Sequence, residues 1–177
     1  MNITIAVCGF QHEIWQKQFF PDDLPEDWRF DYYANEFDSI LFSESDQQIL
    51  GKELLEEMVN EADADFLFVL EGEVPPFDLP GIKCCILSVI FPTEKNIERV
   101  SGFDIERAEI INQQNIDKTV CVLRINSIQQ IKNEDIKQIL MHVYTKYAEF
   151  DQVCLFLGQG LQDIDIINTA RIINDLL

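Results

Sequence analysis

Residues 153–157 read Val153-Cys154-Leu155-Phe156-Leu157, and residues 120–123 read Val120-Cys121-Val122-Leu123; both are apolar at every position. A strand with one wet face alternates apolar and polar side chains. A strand apolar throughout is covered on both faces, and such strands belong mainly to parallel sheets flanked by helices. These stretches extend to runs at 119–125 and 152–158, and four more runs of strand length and β-branched or aromatic content lie at 3–9, 38–43, 65–71 and 82–91. Helical spacing falls between them. Residues 46–62 carry Ile49, Leu50, Leu54, Leu55, Met58, Val59 and Ala62 behind Ser45 and Gln48 at capping-box spacing. Residues 134–149 carry Ile136, Ile139, Leu140 and Val143 behind Asn133, and residues 164–177 carry Ile166, Ile167, Ala170 and Ile173 behind Asp163. Pro25 suits the first turn of an earlier helix, where its missing N–H costs nothing. Strand and helix thus alternate, which predicts the α/β class.

Two segments break the alternation. Gly72 to Gly81, with three prolines, is too short for a helical crossover, so the strands on either side are not parallel neighbours or the fold is irregular there. Residues 93–118 admit either a helix over Asp104–Asn112 or a seventh, edge strand, and the reading favours the helix.

A length of 177 residues with 47% hydrophobic residues, 7 Gly, 6 Pro and no internal repeat predicts a single domain over 1–177. The apolar stretch Ile3–Cys8 has no basic residues before it and is too short to span a bilayer, so no secretory or membrane segment is expected. The five cysteines sit mostly inside apolar runs without metal-ligand spacing, which predicts reduced core thiols, no bound metal and a cytoplasmic location. Against 32 acidic residues stand 13 basic ones, a net charge of -19. A field of that sign repels phosphate backbones, which excludes nucleic acid and anionic membranes as partners. The charge serves solubility, a basic protein partner or bound cations.

Several motifs in the first forty residues run in a recognisable order: Gly9-Phe10 after the first strand, Trp15, Phe19-Phe20-Pro21, Leu24, Tyr32-Tyr33-Ala34, and Phe37-Asp38-Ser39-Ile40 leading into the second strand. Fainter echoes are Val122-Leu123-Arg124, Leu155-Phe156-Leu157, Ala170 and Leu176-Leu177. In these the chain resembles the YecE-like family, bacterial proteins of unknown function with a TIM-barrel-like fold. The resemblance implies a mostly parallel sheet of six or seven strands with flanking helices, an incomplete or distorted TIM-like barrel; an open doubly wound sheet is the alternative. The chain departs from the family pattern at Leu41, where the family has Glu, at Arg124-Ile125-Asn126, where it has Arg-x-His, and at Gly158-Gln159, where it has asparagines.

Parallel α/β folds bind ligands beyond the carboxyl ends of their strands. Polar residues there are His12 and Glu13, Ser43 and Glu44, Glu71 and Glu73, Arg124 and Asn126, and Gln159. His12 is the one histidine placed to act as a general base, with Glu71 as second catalytic candidate; His142 falls inside a helical pattern. Arg124, Asn126, Glu44 and Gln159 are the candidate ligand-binding residues, Arg124 either clamping a substrate anion or pairing with one of the glutamates. Gly158-Gln159-Gly160 lacks the further glycine and lysine of a phosphate loop and reads as a tight turn. The aromatic-rich segment Trp15–Phe37 packs a helix on the sheet, and any of its rings left exposed would mark a partner surface.

Two functions are open. One is a non-catalytic binding or interaction module on a degenerate YecE-like barrel, taking a protein or a small anionic molecule. The other is a small-molecule enzyme without cofactor, a hydrolase of a phosphate or sugar ester, using His12 and Glu71 at the strand ends.

Overall fold

The computed structural model describes residues 1–11, 13–72, 81–91, 97–126, 130–158 and 164–177. All six apolar runs are strands: β1 (Asn2–Val7), β2 (Ser39–Phe42), β3 (Leu67–Glu71), β4 (Cys85–Ile90), and after three intervening strands β8 (Val120–Asn126) and β9 (Gln152–Leu157). The three between them are β5 (Ile97–Val100), β6 (Phe103–Arg107) and β7 (Glu109–Gln114). The helix favoured over 104–112 is therefore overturned. Phe103 and Ile105 are buried while Asp104 between them is exposed, and this period of two is fixed by pairing with β8. The helices are α1 (Glu13–Gln18), α2 (Arg29–Ala34), α3 (Glu44–Glu61), α4 (Asn133–Lys146) and α5 (Ile164–Asp175). Among the described residues no helix is long and apolar enough to cross a membrane.

These strands do not make a mostly parallel sheet bent into an incomplete barrel, nor one doubly wound sheet. They form two open sheets, ordered β1-β9-β8-β6-β5 and β2-β3-β4-β7. The reason lies in residues 97–114, whose strands extend the first sheet with antiparallel partners and supply the last strand of the second. The chain accordingly divides into two compact units of discontinuous sequence, one of residues 1–8, 91–109 and 118–177, the other of 9–90 and 110–117.

In the first unit β1, β9 and β8 are parallel, and β6 and β5 follow antiparallel. Every residue of β9 is buried. Burying one large aliphatic or aromatic side chain contributes about 1.5–3 kcal/mol, so the apolar run Val153–Leu157 is central to the core of this unit. The helix α4 makes the crossover from β8 to β9, and α5 closes on β1, where Asn174 donates to the Ile3 carbonyl at 3.1 Å and accepts from the Tyr144 hydroxyl at 3.2 Å.

In the second unit β2, β3 and β4 are parallel. The strands flanking Gly72–Gly81 are thus parallel neighbours after all; β4 starts only at Cys85, which leaves the dozen or so residues that a parallel return needs. Helix α3 opens on a capping box of Ser43 and Asp46, not Ser45 and Gln48: the Asp46 N–H donates to Ser43 Oγ at 3.2 Å and the Ser43 N–H to Asp46 Oδ2 at 3.0 Å. Gly51 interrupts α3 with φ 74° and ψ 163°, a conformation nearly closed to other residues, and kinks it. Trp15, Tyr33 and Phe37 are buried against one another's rings, Phe20 is buried beside Phe10 and Phe30 on Phe66 and Phe68, and the Tyr33 hydroxyl donates to the Ser39 carbonyl at 2.8 Å.

Candidate functional site

The parallel strands of the first unit end at Val7, Leu157 and Asn126. Arg124 and Asn126 are two residues apart on β8 and share a face. Opposite Arg124 in the antiparallel register stands Glu106 of β6. Arg124 Nε donates to Glu106 Oε2 at 2.7 Å, Asn126 Nδ2 reaches the same oxygen at 3.3 Å, and the guanidinium carbon lies 3.8 Å from the centre of the Phe91 ring. The pair is only 17% and 26% exposed, so the attraction is screened far less than on an open surface. Gly158 packs closely on its neighbour: a β-carbon there would sit 2.0 Å from Asn126 Oδ1 and would have to displace that amide. The Gly158 N–H donates instead to the Ile125 carbonyl at 2.8 Å.

At the strand ends of the second unit, Glu44 begins α3 directly after the Ser43 cap, and its carboxylate lies against Gly72, the residue after β3. Gln47 ties the same two strand ends together, donating through Nε2 to the Glu71 carbonyl at 2.8 Å and the Phe42 carbonyl at 3.1 Å. Glu44 and Glu71 are therefore brought to one edge of the second unit. Arg124 and Asn126 belong to the first. His12, Gln159, Glu73 and the cap candidate Asp163 lie outside the described residues. Leu41 is fully buried in β2.

A polar cluster that the sequence did not disclose lies on the first unit. Glu98 of β5 accepts from Lys146 Nζ at 2.6 Å and Tyr147 OH at 2.7 Å through Oε1, and its Oε2 lies 2.7 Å from His142 Nε2. Residues 142, 146 and 147 share one side of α4 and its end, so one carboxylate gathers three polar groups. Burial raises the Glu98 pKa, but the hydrogen bonds from Lys146, His142 and Tyr147 and the Lys146 charge outweigh it and bring it down to about 2. Burial first, then the hydrogen bond and charge of Glu98, push the Tyr147 phenol above its ordinary range. Arg107 covers the Tyr147 and Phe150 rings at 5.7 and 5.2 Å. The arrangement clamps the edge strand β5 to α4. Its signal in sequence was the spacing of His142, Lys146 and Tyr147, legible only once β5 is known to be a strand.

Burial pushes the thiols of Cys84 and Cys121 up to about 11 and that of Cys154 up to about 12, which keeps these three protonated and unreactive at neutral pH. Among the described residues no three His, Cys, Asp or Glu side chains converge as a metal site would require. Comparison of the chain with protein-family models, with curated proteins and with solved structures finds no match.

Proposed function

We propose that the protein is a non-catalytic binding module whose partner is another protein. The observation that carries this reading is the engagement of Arg124. Arg124, near the end of β8 where it could grip a substrate anion, is held by Glu106 at 2.7 Å and laid on the Phe91 ring. An anionic ligand would have to displace a carboxylate already in bonding distance, at a cost the ligand's own desolvation adds to. The buried Leu41 in place of an acidic group supports the same reading. Against a hydrolase of phosphate or sugar esters stands the loss of its anion-orienting residue to an internal pair.

The test is a thermal-shift series on the native chain and Arg124→Ala. The truncation is expected to lower Tm by about 5 °C, because it leaves the half-buried Glu106 carboxylate without its cation and with only the Asn126 amide. Phosphates, sugars and small carboxylates are expected to leave the native Tm unmoved. A dose-dependent rise with one of them that disappears in Arg124→Ala overturns the proposal in favour of a small-molecule site.

A further inference from the structure

The acidic charge is distributed very unevenly. Of the 32 acidic residues 20 fall in the second unit, together with only 4 of the 13 basic ones. Its densest stretch is Pro21–Asp38, with Asp22, Asp23, Glu26, Asp27, Asp31, Glu36 and Asp38 all exposed and Arg29 as sole cation. Arg29 is itself tied down, 3.6 Å from Glu26 and over the Phe20 ring.

Inside this acidic field two aromatic rings face solvent. Trp28 is 61% exposed and Tyr32, one helical turn further on, 36%, whereas Phe30 and Tyr33 between and beside them are buried. Burying an indole contributes as much as any side chain can, and this fold buries Trp15 completely. The Tyr32 ring is held by neighbouring rings, and the backbone that carries Trp28 is held by a turn. Tyr32 meets Phe19 and Phe20 edge-on at 5.2 and 5.9 Å, and Trp28 closes a 3-10 turn through its N–H to the Pro25 carbonyl at 3.1 Å. A side chain or backbone already held in place loses less entropy when covered.

We propose that Trp28 and Tyr32, ringed by Asp27, Asp31 and Glu26, form the docking surface of this module for a basic protein segment, one presenting arginine or lysine. The proposal rests on the reading as a protein-binding module and names its partner's chemistry. Charge complementarity selects the occupant. A guanidinium stacks on indole and phenol faces while pairing with the carboxylates around them. A second copy of the chain would bring like charges face to face, which costs several kcal/mol.

The experiment titrates the full chain with a fluorescein-labelled Arg-Ala repeat peptide at low and physiological salt. The expected result is binding that weakens with salt, with a change in Trp28 emission and at least about a tenfold loss of affinity in Trp28→Ala and in Tyr32→Ala. The double variant Glu53→Lys, Glu57→Lys, which alters exposed charges on α3, is expected to retain most of the affinity. Equal loss from the α3 variant and none from the aromatic ones overturns the proposal and assigns the binding to bulk charge. Complete competition by spermidine overturns it in favour of a small polycation. Absence of binding at low salt also overturns it, whereas the module reading fails separately, through a small-molecule thermal shift that Arg124→Ala abolishes.

Discussion

Cys84, Cys121 and Cys154 are core atoms in all but name. With thiol pKa values of about 11, 11 and 12, less than about one in a hundred is ionised even at pH 8.5, and the thiolate is the reacting form. Cys8 and Cys85 are only partly covered. We therefore expect a thiol reagent to modify Cys8 and Cys85 of the native chain first, and all five cysteines after denaturation without reductant. Fast native labelling of Cys154 would contradict the burial described here. The apolar runs made these thiols legible in sequence. Arg124 was legible too, as a polar residue breaking such a run, but its partner was not. Glu106 meets Arg124 only through the register of β6 against β8, and a register between distant strands has no local signal.

Among the elements, one carboxylate carries the largest polar contact between β5 and α4, beside the bond from Ser101 to Asp135 at 2.6 Å. Glu98 titrates near 2 in the folded chain against an ordinary value of 4.5. A depressed carboxylate stabilises the fold above its unfolded pKa, and that contribution is lost as pH falls through the folded one. The window therefore runs from about pH 4.5 down to about pH 2. Replacing Glu98 by Gln should destabilise the chain near pH 7, with the deficit shrinking toward pH 2; denaturant unfolding at both pH values measures it, and a deficit independent of pH would show that Glu98 acts by shape alone. The elements around it explain why the sequence concealed them. Strands apolar at every position announce themselves, but β5 alternates exposed and half-buried residues and β7 is exposed along nearly its whole length. Such edge strands are specified by their neighbours, not by their own composition.

For the whole molecule, the α/β class followed from local periodicity, whereas the division into two sheets depends on which distant strands pair. The barrel implied by family resemblance failed at that level. In the first unit Asn2 pairs with Gln152 and Val7 with Leu157, while in the second β2 and β3 are separated by α3 alone. Closing the longer loop costs more entropy and orders later. Pulse-labelled hydrogen exchange during refolding should protect β2 and β3 before β1; simultaneous protection would argue against this order. The same pairing has a consequence in the cell. During synthesis Ile3 to Val7 emerge from the ribosome about 150 residues ahead of the strand that covers them, leaving an apolar edge of the kind that chaperones hold and that aggregates if left alone.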